Sequence, residues 1–134
     1  MWMLDTNICI YIIKHRPPEV IERFRNLHVS EVAVSSVTVL ELAFGVNKSR
    51  YQEKSVSALS RFLQPLVVVD FNREDGETAG ALRADLERRG RPIGPYDLQI
   101  AAQALRREIT LVTNNLREFE RIEGLNLENW VSKD

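Results

Sequence analysis

The chain has 134 residues, 44% of them hydrophobic and 28% charged, with 18 basic against 19 acidic side chains. This composition excludes a disordered chain and fits one domain, residues 1–134, built on one shielded core, while the near-neutral balance argues neither for nor against a nucleic-acid partner. The lone Cys9 cannot form an internal disulfide, no apolar run is long enough to span a bilayer, and the start lacks signal-peptide character, so a cytoplasmic protein without a membrane anchor is expected.

In chain order, residues 1–5 read as a short buried strand, with Asp5-Thr6-Asn7 opening a helix that carries Ile8, Ile12 and Ile13. Pro17-Pro18 ends it, and Pro18 suits the first turn of the next helix, PEVIERFRNL. EVAVS at 31–35 is a β-branched strand, and Ser35 or Ser36 is the cap for VTVLELAFGVNKS. Residues 50–64 are amphipathic, with Val56, Leu59, Phe62 and Leu63 on one face, and Pro65 stops them. LVVVDF at 66–71 is a continuous apolar run, which predicts a strand buried on both faces. NREDGETAGALRADLERRG starts acidic and ends basic, the order that the helix dipole favours. A rigid RPIGP turn follows, then the helix PYDLQIAAQALRRE, the strand TLVT at 110–113, a short LREFERI helix and an edge strand within 125–130. Strands alternating with helices, without hairpin signals, predict an α/β domain with a parallel sheet, whose sites form at the carboxyl ends of the strands.

Asp5, Ser35, Asp70 and Thr113 stand at such ends. Position alone leaves Asp5 open between a helix cap and a ligand, since Thr6 or Asn7 could cap equally well. Glu41 is the sharper anomaly: at three- and four-residue spacing it falls within the stripe of Val37, Leu40 and Phe44. A buried ionised carboxylate costs several kcal/mol unless it is paired or coordinated, so a salt bridge to an arginine, snorkelling at the edge of the stripe, and a ligand role are the competing readings. Asp97 lies in the first turn of a helix behind Pro95, where any acid is favoured, but it shares a face with Ala101 and Ala104, which would let that helix press on the sheet. Thr113, Asn114 and Asn115 can supply oxygens at the same edge, and Glu118 is a further acid near that corner. Between Arg83 and Arg107 six arginines face three acids, and from Glu118 to Asp134 five acids face two cations. A solvated helix face explains either run, and the arginines gain meaning only beside a catalytic site.

Rival chemistries find less support. Asp70 would serve a receiver-type phosphoacceptor domain, but that needs an acid pair after the first strand and a lysine after a later one, and neither is present. A haloacid-dehalogenase-like site needs a second Asp where Asn7 stands. No GxGxxG, Walker-type or GxSxG motif occurs, His15 and His28 are isolated, and Cys9 sits in an apolar helix as a core residue. Asp5, Glu41 and Asp97 brought to one sheet edge would form an all-oxygen cluster of like charges, which calls for a cation or a raised pKa. Oxygen donors without Cys or His favour Mg²⁺ or Mn²⁺, and phosphodiester hydrolysis is the reaction class such a site serves.

Four stretches in order, MLDTN at 3–7, SSVTVLELAFG at 35–45, GRPIGPYDLQIAA at 90–102 and LVTNNLREFERIEGLNLENW at 111–130, resemble PIN-domain ribonucleases, in particular the VapC toxins of bacterial toxin–antitoxin pairs. The resemblance spans nearly the whole chain. It implies a PIN-like three-layer α/β/α sandwich around a mostly parallel sheet of four to five strands. It also implies a Mg²⁺-dependent endoribonuclease, a homodimer, neutralisation by a small VapB-type antitoxin, and RNA as substrate, tRNA cut in the anticodon region being favoured. Asp5, Glu41 and Asp97 take the acidic metal-site roles, with Asn7, Thr113, Asn115 and Glu118 supporting them, Thr6 as the cap and Arg91 as a phosphate contact. Many members carry a fourth acid where this chain has Asn115, so Asn115, Thr113 or Glu118 must compensate if two ions are held. The alternative from another class is a non-catalytic PIN scaffold that grips RNA or protein.

Overall fold

The computed structural model describes residues 1–132; Lys133 and Asp134, the last two charges of the C-terminal run, lie outside it. The chain alternates β1 (Trp2–Leu4), α1 (Thr6–Ile13), α2 (Pro18–Arg25), β2 (Val32–Ser35), α3 (Ser36–Asn47), α4 (Gln52–Leu63), β3 (Val67–Val69), α5 (Arg73–Arg88), α6 (Pro95–Arg107), β4 (Thr110–Val112), α7 (Leu116–Phe119) and β5 (Leu127–Glu128). The five strands form one sheet in the order β3-β2-β1-β4-β5, and every pairing is parallel.

Strand alternation divides the interior into two cores. Leu4, Val32, Val34 and Val112 point to one face, where they pack with Ile8, Ile12, Val20 and Ile21 of α1 and α2, and with Leu59 and Phe62 of α4. Met3, Ala33 and Leu111 point to the other face and meet Leu86, Ile100, Ala101, Ala104 and Phe119 from α5, α6 and α7. The result is a three-layer α/β/α sandwich, as the resemblance implied. Ala101 and Ala104 are fully buried, and these small side chains bring α6 close to the sheet.

Three readings of the apolar pattern are corrected. β3 is not buried on both faces: it is a sheet edge, and Val67 and Val68 are 39% and 43% exposed. An unbroken apolar run therefore marks an exposed edge here, which is a surface suited to association. On α3 the stripe of Val37, Leu40 and Phe44 does not exist. Val37, Thr38 and Leu42 face inward, while Leu40 and Phe44 are 53% and 61% exposed. α3 is apolar nearly all round, so spacing alone could not say which face packs. Val56, predicted on the inner face of α4, points outward, whereas Leu59, Phe62 and Leu63 do pack inward.

Candidate active site

The strand order reverses between β1 and β4: the chain runs outward from β1 through β2 to β3, then returns to the other side for β4 and β5. The crevice at the carboxyl ends of β1 and β4 is the place where an open parallel sheet receives a ligand. Asp5 follows β1 at this point and Thr113 follows β4. The Asp5 backbone N–H donates to Val112 O at 3.0 Å, and the Thr113 hydroxyl lies close enough to the Asp5 carboxylate to lower its pKa.

Asp5 is 4% exposed, and its Oδ1 accepts the Ile8 N–H at 2.9 Å, so it caps α1 itself. The expectation that Thr6 would be the cap is corrected. Thr6 Oγ1 instead donates to Glu41 Oε1 at 2.7 Å and lies 3.2 Å from Thr38 Oγ1. With its single proton on Glu41, Thr6 accepts from Thr38, and the two hydroxyls hold Glu41 beside the start of α1. Glu41 itself is half-buried and reaches the site from α3. The Asn7 side chain is exposed, and its backbone N–H bears on Asp5 only by lowering its pKa.

Asp97 enters from the first turn of α6, as its position behind Pro95 predicted. Glu118 completes the group from α7. Its Oε1 accepts the Gly94 N–H at 3.0 Å, and its Oε2 accepts Asn115 Nδ2 at 2.7 Å. A Cβ placed on Gly94 would stand 3.9 Å from Glu118 Oε1 and 4.0 Å from Asp97 Oδ2, so both acids flank that glycine. Asn115 orients Glu118, and its backbone N–H donates to Thr113 Oγ1 at 2.9 Å.

The four carboxylates act on each other. Burial pushes the Asp97 pKa up to about 6, and the charges of Glu118, Asp5 and Glu41 push it the same way. Burial also raises Asp5, with Glu41 adding to the rise, although the Thr113 hydroxyl and the Ile8 and Asn7 N–H groups pull it down. Among the described residues, none of the four forms a salt bridge to Lys or Arg. Asp75, which is fully buried, is the opposite case. Burial raises it, but Arg107, the Asn72 N–H and Arg106 outweigh that and hold it well below the usual carboxylate range.

The raised Asp97 pKa fixes the sign of a pH effect. Asp97 binds its proton more tightly in the folded state (about 6) than in the unfolded chain (~3.9). Stability from this group is therefore full below about pH 4 and falls as pH rises through about 6. In chelator, Asp97→Asn is expected to match the parent's melting temperature near pH 4 and to exceed it at pH 7, as thermal melts across that range will show. An equal gap at both pH values would mean that Asp97 carries no such strain.

The all-oxygen donor set and its uncompensated charge fit a hard divalent cation. The described residues do not bring three acidic ligands to one point as a closed cage. Mg²⁺ does not require one, since it is commonly held by one or two carboxylates together with water and substrate phosphate.

The remaining sequence candidates fall elsewhere. Arg91 is exposed, with its backbone N–H bonded to Leu86 O at 2.8 Å. Most of the arginine run serves structure: Arg83 and Arg89 pair with Glu87 and Asp85, while Arg106 and Arg107 hold Asp75. Those last two lie at the far end of α6, about 14 Å along the axis from Asp97. Asp70 is exposed at the end of the outermost strand, two strands from the crevice. Cys9 is fully buried, which pushes its thiol pKa well up, in keeping with a core residue. Sequence reasoning missed Thr6 and Thr38 as holders of Glu41, and Gly94 as the donor to Glu118. Thr6 and Glu41 are 35 residues apart, and no local pattern links them.

The PIN domain family matches residues 2–125. The tRNA(fMet)-specific endonuclease VapC of Salmonella typhimurium is 45% identical over 96% of this chain and 97% of its own length. Ribonuclease VapC2 of Haemophilus influenzae is likewise 45% identical, over 97% and 98%. The crystal structure of DNA-bound VapBC from Salmonella typhimurium superposes with a TM-score of 0.91 at 45% identity, covering 97% of this chain and 98% of that one. Identity at this level over almost the full length, on the same fold, shows that the chain belongs to the PIN-domain family and to its VapC ribonucleases.

Proposed function

We propose that this protein is the toxin of a toxin–antitoxin pair, an endoribonuclease that depends on Mg²⁺ and hydrolyses tRNA in the anticodon region. The observation that carries the reading is the contrast between paired and unpaired acids. Asp75 is neutralised by two arginines, whereas Asp5, Glu41, Asp97 and Glu118 crowd the switch-point crevice with no cationic partner among the described residues. Asp5 and Asp97 would hold the ion, with Glu41 completing the acidic site and Glu118 standing in for the fourth acid. When bound, Mg²⁺ or Mn²⁺ would activate water and neutralise charge growing on the phosphate. The chain's own part is positioning. The Ile8 N–H aims the Asp5 carboxylate, Thr6 aims Glu41, and Gly94 with Asn115 aims Glu118. The tRNA assignment leans on the name of the Salmonella relative. Sequencing the RNA ends produced after brief expression tests it: cuts clustered in anticodon loops support it, and cuts spread over messenger or ribosomal RNA count against it.

The solved VapBC complexes support a VapB-type antitoxin as partner. A groove of about 590 Å³ between α1, α3 and α4 suits it, lined by Ile10, Ile13, Leu42, Val46 and Leu59, with Glu41 at its edge. An amphipathic helix laid there would reach the acids. Leu40 and Phe44, one turn apart and exposed on the outer face of α3, are assigned to contact with a second copy. Phe44→Asp is then expected to turn the dimer into a monomer by light scattering while the fold stays intact. A Phe44→Asp protein with the parent's mass in solution would remove this face from the assignment.

A further inference from the structure

Beside the acid crevice lies a second, open basin of about 500 Å³, formed by the Asn114–Arg117 segment after β4 and by Asn129, Val131 and Ser132 after β5. No acid lines it. Leu116 and Val131 give it apolar walls, while Asn114, Asn115 and Asn129 give it three amides. Arg117, at its rim, takes part in no ion pair among the described residues. The basin adjoins the acids through the chain itself. Asn114 stands between Thr113, next to Val112 whose carbonyl accepts the Asp5 N–H, and Asn115, which is bonded to Glu118.

Two of these amides, exposed Asn114 and half-buried Asn129, are held in fixed orientation. Asn129 Nδ2 donates to Asn114 Oδ1 at 3.3 Å, Asn114 Nδ2 donates to the Tyr11 hydroxyl at 3.4 Å, and Asn129 Oδ1 accepts the Val131 N–H at 2.9 Å. Each amide carries two donor hydrogens and two acceptor lone pairs, and these bonds use one of each. A donor and an acceptor therefore remain on Asn114 and on Asn129, the paired pattern that a base edge presents. Single-stranded RNA is read in this way, by a splayed base whose edge meets polar groups and whose face meets a flat or apolar wall.

The geometry points to a nucleobase subsite: Asn114 and Asn129 read the edge of the nucleotide adjoining the scissile phosphate, Leu116 and Val131 cover its face, and Arg117 holds a phosphate. The inference rests on the nuclease reading, and it gives the enzyme a sequence preference at one position next to the cut. The two amides are specificity-determining groups and take no part in the chemistry.

The test uses the full chain and a panel of short single-stranded RNAs that vary one base at a time on either side of a mapped cut. The parent protein is expected to prefer certain bases at one flanking position by about tenfold or more in kcat/KM, the scale of a bidentate base contact. Asn114→Ala is expected to flatten that preference to within threefold while the least favoured RNA is cut at the parent rate. Arg117→Gln is expected to weaken all sequences alike and to lower the salt dependence of binding by roughly one phosphate contact. Binding of the same panel to an Asp5→Asn protein, read by anisotropy, separates this inference from the nuclease reading. Base-dependent binding that Asn114→Ala abolishes supports the subsite even if no RNA is cut. An Asn114→Ala protein that keeps the parent's preference overturns it and leaves the basin to a protein partner. A uniform loss on every RNA overturns it too, because the amide would then merely be supporting Thr113 and Asn115.

Discussion

Asp5→Asn is expected to lower RNA cleavage by on the order of 10³-fold, corresponding to about 4 kcal/mol of lost electrostatic stabilisation, with a melting temperature within a few degrees of the parent. Asparagine caps a helix as well as aspartate does, so the bond from the Ile8 N–H to position 5 survives. The fold loses a carboxylate that burial and Glu41 already push towards its neutral form, so removing the charge does not strain it. Asp5→Ala makes the complementary comparison. It also removes the cap, and it is expected to add a stability loss of about 1 kcal/mol. Two variants that are equally inactive but differently stable would assign the charge to chemistry and the oxygen to the helix. If Asp5→Asn cleaved within tenfold of the parent, the carboxylate would be a cap and nothing more.

The largest expected effect on stability lies at Asp75. This carboxylate is fully buried, accepts Arg107 Nη1 at 2.7 Å and Arg106 Nε at 2.9 Å, and closes a reciprocal capping box with Asn72 at the start of α5. It therefore joins the N-terminus of α5 to the C-terminus of α6. Removing one partner of a buried pair costs about 3–5 kcal/mol when the other charge is left stranded. The two arginines are 33% and 24% exposed and regain some water, which lowers the expected cost. Asp75→Ala is expected to lose about 3 kcal/mol in denaturant unfolding, with activity per folded molecule unchanged because the acids lie at the other end of α6. The linkage runs opposite to that of Asp97. The Asp75 pKa is depressed in the fold, so its contribution is full above the ordinary carboxylate range and is lost as pH falls below about 4. The gap between parent and Asp75→Ala should therefore shrink on acidification. A gap that holds constant from pH 7 to pH 3 would contradict the assignment.

Some of this is legible in the sequence for physical reasons. The strand-helix alternation and the placing of Asp5 at a strand end follow from local patterns, but a cap explains Asp5 as well as a ligand does, and the first turn of a helix favours any acid at Asp97. Glu41 stands out for an incomplete reason. It does face the site, but on the flank of a helix that is apolar on several sides, and not within an inward stripe of Leu40 and Phe44. The reversal of strand order between β1 and β4 depends on tertiary pairing, and nothing local encodes it. The same limit hides the edge position of β3, whose valines read as core. Asp75 escapes notice because its partners lie 31 and 32 residues away. Within NREDG it reads only as one of the acids that open a helix. The arginine run misleads for the same reason: a run of charge shows its sign but not its partners.

If the four crowded acids serve a divalent ion that cuts RNA, activity must follow the ion. The most direct measurement is cleavage of purified tRNA by the metal-stripped protein, with Mg²⁺ or Mn²⁺ titrated back at pH 7.5. The expected result is no cleavage in chelator, cleavage restored in proportion to site occupancy, and no restoration in the Asp97→Asn protein. Cleavage at the full rate in chelator, or an Asp97→Asn protein that regains parental activity on adding metal, would contradict it.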